Sequence, residues 1–164
     1  MLLRHARAES WRPGADDAGR VLSEGGERHA RALAEWFAAH LAAPDEVRCS
    51  PAARTRGTLE PLLARVPLLR ERTAYDETLY LASTGDLHAI AGRAFDRHDR
   101  LLLVGHNPGM EGLLRTVTRA DDLRGRHGML PGQLAVIVFG SGWADDAGDG
   151  RLAHWVGREN LAVD

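Results

Sequence analysis

Residues 101–109, LLLVGHNPG, contain the clearest strand of the chain and the turn that follows it. The near-continuous apolar run is typical of a strand buried on both faces, as in a parallel sheet covered by helices. Asn107 is predicted to cap the next helix and Pro108 to take its first position, opening the segment PGMEGLLRTVTR. The stretch therefore predicts a strand, a turn and a helix, with His106 at the end of the strand.

The same alternation of strands and helices continues outward in both directions. Strands are predicted at MLLRH, EVRCS, LAVIVF and RLAHWV, the last two joined by a Gly/Asp turn at 140–150. Helices are predicted after an N-cap at Ser23, over PAARTRGTLEPLLARV with Pro51 in its first turn, and over residues 84–95 with a cap at Thr84. Pro61 is expected either to kink the second of these helices or to restart it. The pattern predicts an α/β fold, a three-layer α/β/α domain whose mostly parallel central sheet has an antiparallel edge.

The composition is that of one soluble domain spanning residues 1–164. Hydrophobic residues make up 44% of the chain and charged residues 27%, and the net charge of −2 gives no reason to expect nucleic acid as a partner. No apolar run approaches the roughly 18 residues that a membrane span needs. A single cysteine, Cys49, excludes an internal disulfide framework. We therefore expect a cytoplasmic protein without a membrane partner, and a monomer.

Arginine is unusually weak evidence for a binding site in this chain. The sequence contains no lysine, so that all 21 basic positions are arginine. Because arginine here also fills ordinary surface positions, a single guanidinium does not indicate a phosphate site. The position of each arginine relative to the predicted strands therefore decides whether it is a candidate for phosphate binding.

Two predicted strands end in histidine, and their neighbours carry arginine. His5 follows the first strand directly after Arg4, His106 follows LLLVG, and the helix after EVRCS begins with Arg54 and Arg56 in its first turn. Carboxyl ends of parallel strands meet at one edge of a sheet, so these side chains are expected to converge. Arginine binds phosphate oxygens bidentately, and a neutral imidazole can attack phosphorus. The adjacent guanidinium of Arg4 also disfavours protonation of His5.

Four segments in this order, LLRHA, CSPAARTRGT, DETLY and LLVGHNPG, resemble the histidine phosphatase superfamily and its phosphoglycerate-mutase-like fold. Within it the chain is most similar to the SixA-like phosphohistidine phosphatases, over a stretch from Leu2 to Leu161 that includes LSEGG and GRENL. The resemblance implies that His5 accepts the phosphoryl group and that Arg4 and Arg54 bind its oxygens. It also implies that His106 is a second imidazole at the site, that Asn107 is a further substrate-binding residue and that Glu77 is an acidic proton donor. Asp76 is the other candidate for the acid. No metal or other cofactor is implied.

The predicted reaction is transfer of a phosphoryl group to His5 and then to water. Phosphohistidine on a protein is the favoured substrate, because imidazole leaves more readily than an alkoxide and needs less help from an acid. Two alternatives stay open: a broad small-molecule phosphomonoesterase of the same fold, and a phosphoprotein-binding module with weak catalysis. Arg7 and Arg20 are further candidates to reach the substrate, whereas Arg56 is predicted to be a solvated helix residue. Cys49 is predicted to be a buried structural residue, since no Cys-x5-Arg loop follows it.

Overall fold

The computed structural model describes residues 1–140, 143 and 148–161. The strands are β1 (Leu2–Arg4), β2 (Glu46–Cys49), β3 (Thr73–Tyr75), β4 (Leu101–Gly105), β5 (Leu134–Val138) and β6 (Arg151–Val156). The helices are α1 (Glu24–His40), α2 (Ala53–Arg65), α3 (Thr84–Phe95) and α4 (Gly109–Val117). Short 3-10 turns span Pro67–Arg70, Glu77–Leu79, Ala120–Leu123 and Arg158–Asn160.

The six strands form one sheet in the order β3-β2-β4-β1-β5-β6. The first four of these run parallel, whereas β5 is antiparallel to both β1 and β6. At the centre, Arg4 of β1 lies opposite Gly105 of β4, so the residues that follow the two strands lie at the same edge of the sheet. The predicted α/β fold with a mostly parallel sheet is confirmed, and the reversed strand lies one place inside the edge.

Helices cover both faces of the sheet, which makes three layers. The side chains of β4 alternate: Leu101 and Leu103 contact the core formed with α3 and α4, whereas Leu102 and Val104 contact the core formed with α1 and α2. All four are at most 3% exposed. The apolar run of this strand is thus explained by burial on both faces, as its sequence predicted.

The N-caps of α1 and α3 were both predicted from the local sequence, and one of the two predictions is correct. Ser23 caps α1 as predicted, its side chain accepting a hydrogen bond from the backbone N–H of Gly26. The predicted cap of α3 at Thr84 is wrong, because Ser83 is the cap and Thr84 is the first helical residue. The physical reason is a capping box, in which Ser83 and Asp86 satisfy each other's backbone N–H groups.

Two other helix starts differ from the prediction. Helix α2 begins at Ala53, so Pro51 precedes the helix, and the helix continues through Pro61 without ending there. Helix α4 begins at Gly109 after a cis peptide bond between Asn107 and Pro108, so Asn107 is not its cap. The Asn107 amide instead donates hydrogen bonds to Glu111 and to the backbone of Met129.

The segment between β5 and β6 was predicted to be a Gly/Asp turn at 140–150. Of this range, residues 141–142 and 144–147 lie outside the described residues. Trp143 within it stacks on Phe95 of α3, with ring centroids 5.0 Å apart. Among the described helices, none is both long and apolar enough to cross a bilayer.

Candidate active site

The carboxyl ends of β1 and β4 bring two histidine rings together. His5 directly follows β1 and His106 directly follows β4, and their ring centroids lie 5.3 Å apart. Arg4, the last residue of β1, precedes the first ring. The structure therefore places these three predicted site residues at one edge of the sheet, where parallel neighbouring strands end.

Hydrogen bonds determine which nitrogen of His5 is free. Its Nδ1 lies 2.7 Å from the carbonyl oxygen of Ala6. Because a carbonyl can only accept, Nδ1 carries the hydrogen and Nε2 carries the lone pair. The backbone N–H of His5 donates to the carbonyl oxygen of Gly105 at 3.1 Å, which ties the residue to β4. An imidazole held in this way presents the lone pair that attack on phosphorus requires.

A single buried hydroxyl group links this strand end to α2. The backbone N–H of Ala6 donates to Thr58 Oγ1 at 2.9 Å, and that hydroxyl donates to the carbonyl oxygen of Arg54 at 2.7 Å. Thr58 is fully enclosed, with 2% of its surface exposed. The backbone of Arg54 is therefore fixed relative to the segment that holds His5.

Burial keeps both imidazoles neutral. The pKa of His5 is lowered from 6.5 to about 4, chiefly by burial and further by the positive charges of Arg54 and Arg4, against an opposing hydrogen bond to Ala6. The pKa of His106 is lowered to about 3, chiefly by burial and then by Arg54. Both rings are uncharged at neutral pH, so His5 is available as a nucleophile and His106 as a neutral hydrogen-bond partner.

His106 is held by a serine and faces a tyrosine. Its Nε2 lies 2.8 Å from Ser50 Oγ, and the edge of the Tyr80 ring packs against it with centroids 5.4 Å apart. Ser50 Oγ accepts a hydrogen bond from the backbone N–H of Ala52, so its own hydrogen is available to donate to Nε2 of His106, and Nδ1 then carries the ring hydrogen and is a donor. Nδ1 is buried and has no partner among the described residues, so this donor is free for a bound group.

Arg4 is anchored at one end of its guanidinium. Nη1 donates to the carbonyl oxygen of Met129 at 2.6 Å, whereas the buried Nε has no partner within the described part of the chain. Burial lowers the pKa of Arg4, and an arginine nevertheless remains charged at neutral pH. Asn107 donates to the same Met129 oxygen at 3.1 Å, which places this predicted substrate-binding residue next to Arg4.

Arg54 is almost completely enclosed and is held by an aspartate. Its side chain is 2% exposed, and its two terminal nitrogens donate to Asp17, to the carbonyl oxygen at 2.6 Å and to Oδ2 at 2.9 Å. Tyr80 donates its hydroxyl to the same Oδ2 at 2.8 Å. Arg20 forms an ion pair with Oδ1 at 3.0 Å. We refer to Arg4, His5, Arg54 and His106 together as the cradle.

Asp17 and Tyr80 belong to the site although neither was predicted from the sequence to have a role in it. The hydrogen bond from Tyr80 is the main cause that lowers the pKa of Asp17, and Arg54 adds to it, so the side chain is a carboxylate. The same hydrogen bond raises the pKa of Tyr80. The available signal was the concentration of Asp and Arg in residues 6–22, which by itself indicates only a polar loop.

The carboxylate of the predicted acid is not hydrogen-bonded to this network in the described residues. Glu77 is exposed at the start of the 77–79 turn, and in the described residues its carboxylate has no hydrogen bond or ion pair. The carboxylate of Asp76 instead accepts hydrogen bonds from the backbone and hydroxyl of Thr78, which lower its pKa.

Arg56 lies over the Tyr75 ring, 4.9 Å from its centroid. Arg7 and Arg20 were the further candidates to reach the substrate, and of these Arg20 joins the network through its ion pair with Asp17.

Other reactive groups are poorly suited to chemistry here. Burial raises the pKa of Cys49 to about 12, so its thiolate is strongly disfavoured. Within 1–140, 143 and 148–161, no cluster of three or more His, Cys, Asp or Glu side chains is arranged to hold a metal ion. The imidazoles are therefore the best-placed reactive groups at this edge of the sheet.

Sequence comparisons agree with this arrangement. A model of the histidine phosphatase superfamily (branch 1) matches residues 1–80, which contain Arg4, His5 and Arg54. The uncharacterized protein Rv1276c of Mycobacterium tuberculosis is 36% identical over 106 residues, or 65% of this chain. The chain spans 63% of the length of that relative.

Solved structures resemble the whole described fold. A protein from Agrobacterium tumefaciens assigned as the phosphohistidine phosphatase SixA superposes with a TM-score of 0.79 at 26% identity, covering 95% of both chains. A second SixA-assigned protein, from Nakamurella multipartitia, gives a TM-score of 0.77 at 29% identity, covering 95% of this chain and 94% of the other. The three-layer fold is accordingly phosphoglycerate-mutase-like, as the motifs implied.

Proposed function

The chain belongs to the histidine phosphatase superfamily, and on that premise we propose that it is a phosphatase that works without a metal ion. His5 accepts a phosphoryl group from the substrate and passes it to water. The preferred substrate is phosphohistidine on a protein, in line with the SixA-assigned structures that the chain resembles. In this proposal residues 1–164 form a single catalytic domain that acts as a monomer.

The observation that carries the proposal is a set of buried nitrogens around His5. Nε of Arg4, Nε of Arg54 and Nδ1 of His106 are all buried and unpartnered among the described residues. A buried polar group without a partner costs about 1–3 kcal/mol, so three of them on residues that neighbour His5 favour a bound ligand. A phosphoryl group has three oxygens that would accept these hydrogen bonds.

The first step is an in-line displacement at phosphorus. The Nε2 lone pair of His5 forms a bond to phosphorus while the bond to the leaving atom breaks on the opposite side. Arg4, Arg54 and His106 hold the phosphoryl oxygens, and Asn107 binds beside Arg4. Each such preorganised donor contributes roughly 10²–10³-fold to the rate in comparable sites.

The second step returns His5 to its starting state. Water attacks phospho-His5, the bond between phosphorus and nitrogen breaks, and the water oxygen leaves with the phosphate together with its protons. The hydrogen stays on Nδ1 throughout and is donated to the Ala6 carbonyl oxygen, because that oxygen cannot take a proton at neutral pH. Nε2 therefore recovers its lone pair without a further proton transfer.

The leaving group favours phosphohistidine over phosphate esters. An imidazole protonated at its other nitrogen leaves as a neutral molecule, whereas an alkoxide needs a proton from an acid. Asp76 is held as a carboxylate by Thr78, so we retain Glu77 as the proposed proton donor for ester substrates. The exposed position of Glu77 suits an accessory role better than an essential one.

Trapping of the intermediate tests the mechanism. Incubation with ³²P-labelled phosphohistidine peptide should give an adduct on the protein that is labile in acid and stable in base. The adduct should be absent in His5→Ala and present in the control His40→Ala, which alters an exposed histidine at the end of α1. Equal turnover by His5→Ala and wild type would refute the role of His5.

Relative substrate turnover tests the proposed specificity. We expect kcat/KM to be higher for a phosphohistidine peptide than for sugar phosphates, and Glu77→Gln to affect mainly the sugar phosphates. Faster turnover of the esters would favour the small-molecule phosphomonoesterase. Tight binding of the phosphopeptide without an adduct or turnover would favour the binding module.

A further inference from the structure

A cavity of about 530 Å³ is lined by residues that lie close along the chain to His5 and to Met129, the anchor of Arg4. Its size falls within the range of ordinary ligand pockets, about 300–1,000 Å³. Segments from distant parts of the sequence form its walls: the stretch after β1, the first turns of α1, and the chain before β5 and after β6. We call this cavity the side pocket, and its charged and polar lining includes Arg7, Glu9, His29, Gln133, Arg158 and Glu159.

The side pocket lies within reach of a group bound at the cradle. Arg7 lines it and is two residues from His5, a separation of at most about 7 Å along the chain. Leu130 also lines it and directly follows Met129, whose carbonyl anchors Arg4. A substrate whose phosphoryl group is bound at His5 can therefore extend into the pocket over one or two residues.

The floor of the pocket has unused hydrogen-bonding capacity. His29 and Gln133 both line it and are 6% and 2% exposed. Nε2 of each is buried and unpartnered among the residues that the structure describes. The proposed phosphoryl transfer uses neither side chain. Buried polar groups of this kind are normally satisfied, so their presence at a cavity indicates a polar ligand.

The charges of the lining argue against a second phosphate. Arg7, Arg28 and Arg158 supply positive charge, and Glu9 and Glu159 supply negative charge. Arg28 is paired with Glu24 at 2.8 Å, and none of the other four forms an ion pair within the described part of the chain. Two carboxylates would repel a polyanion. A polypeptide instead offers an N–H donor and a C=O acceptor at each residue, which matches a lining of mixed donors and acceptors.

The rim of the pocket adds an apolar contact. Leu130 is 60% exposed, and Pro131 beside it also lines the cavity. Exposed apolar residues next to polar groups are a common feature of protein interaction sites. The rim thus fits the side chains of a protein partner.

We propose that the side pocket binds the partner polypeptide next to its phosphorylated residue and so favours phosphoproteins over free phosphorylated amino acids. The inference rests on the proposed function, since it assigns a second contact to the same substrate. It predicts that the pocket affects the discrimination between substrates that share one leaving group.

Gly25 allows the pocket to be filled without distorting the fold. It is the second residue of α1, it lines the side pocket, and a Cβ built on it would meet nothing within 4 Å. Gly85 is a matched control, because it is the second residue of α3, lies outside the pocket, and would place its Cβ no nearer than 3.9 Å to another atom.

The experiment compares kcat/KM for a phosphohistidine peptide with kcat/KM for free phosphohistidine. Gly25→Leu should lower the ratio of these two constants about ten-fold or more, since a leucine side chain at a residue that lines the pocket would compete with the peptide for its space. Gly85→Leu should leave the ratio unchanged. An unchanged ratio in Gly25→Leu overturns the inference.

A second variant and the phosphoenzyme assay complete the test. If Gly25→Leu folds poorly, Arg158→Gln provides the same readout, and an unchanged ratio in that variant overturns the inference equally. Labelling of His5 by free phosphohistidine separates the two proposals. A labelled His5 with an unchanged ratio ends only the side-pocket proposal, whereas failure of both substrates to label His5 ends the proposed function.

Discussion

The two halves of the cradle differ in what fixes their geometry. His5 and His106 follow neighbouring parallel strands, and main-chain hydrogen bonds set their spacing. Arg54 depends instead on the side chain of Asp17, which belongs to a loop and is 36% exposed. The difference teaches that the nucleophile is placed by the sheet, whereas the guanidinium of one clamp is held by a single loop residue, through its carbonyl oxygen and its carboxylate.

Replacing Arg54 should give the largest effect and tests whether the side-chain half is necessary. Arg54→Gln removes the charge that binds phosphoryl oxygens and leaves Asp17 without its buried partner. We expect kcat/KM to fall roughly 10³-fold. Arg56→Gln is the control, because that guanidinium lies over Tyr75. Activity of Arg54→Gln within ten-fold of wild type would show that the main-chain half suffices.

The pH response tests the main-chain half. A ring with the lowered pKa of His5, about 4, is about 90% neutral at pH 5, whereas an ordinary histidine of pKa 6.5 is about 3% neutral, a difference of roughly 30-fold in available nucleophile. An NMR titration of the His5 ring, assigned with His5→Asn, should show protonation only as the pH falls through about 4. A midpoint near 6.5 would contradict the buried placement.

The same titration has a consequence for stability. Below pH 6.5 the unfolded chain binds protons that folded His5 and His106 do not, since the pKa of both is lowered. The contribution of these two histidines to the free energy of unfolding should therefore be complete above pH 6.5 and be lost progressively as the pH falls towards 4. Urea denaturation at several pH values measures it, and the slope should be smaller in His106→Asn.

Removing the charge of Asp17 sharpens the comparison further. Asp17→Asn keeps the size of the side chain but weakens its hold on Arg54. A hydrogen bond to a charged group is worth about 1.5–3 kcal/mol, so we expect kcat/KM to fall about ten-fold, mainly through a higher KM. Asp16→Asn is the neighbouring control, since among the described residues Asp16 accepts hydrogen bonds only from the backbone of Ala18 and Gly19. Equal losses of kcat/KM in the two variants would show that Asp17 has no specific role in holding Arg54.

Tyr80 should give the smallest effect. Tyr80→Phe deletes the hydroxyl that donates to Asp17 but keeps the ring against His106. The loss should be about three-fold in kcat/KM, with Tyr75→Phe as the control. Combined with Asp17→Asn it should cause little additional loss, because both substitutions act on one network. Fully additive losses would indicate that Tyr80 acts independently.

The contrast between the two halves also explains what the sequence could predict. Strand alternation and the motifs around His5 and His106 were sufficient to predict their convergence, because neighbouring parallel strands bring successive strand ends together. The contact between Asp17 and Arg54 joins residues 37 positions apart, linking a side chain of α2 to a residue in a loop. No periodicity or turn signal specifies such a contact.

The errors at the helix starts have similarly local causes. Ser83 and Thr84 are adjacent hydroxyl residues, and the acid three positions after Ser83 decides between them. Asn107 has the right side chain for a cap, but its amide is taken by Met129 and Glu111. A residue type can thus be suited to one role while a distant acceptor gives it another.

The Ala6 carbonyl beside His5 bears on how long a phosphorylated ring would last. Once Nε2 carries phosphorus and Nδ1 keeps its hydrogen, the imidazole bears a positive charge. A peptide oxygen at 2.7 Å offsets that charge far less than a carboxylate would, and the guanidiniums nearby repel it. Under the proposed mechanism the covalent state is high in energy and brief, which suits an enzyme that discards phosphate rather than one that stores it for return.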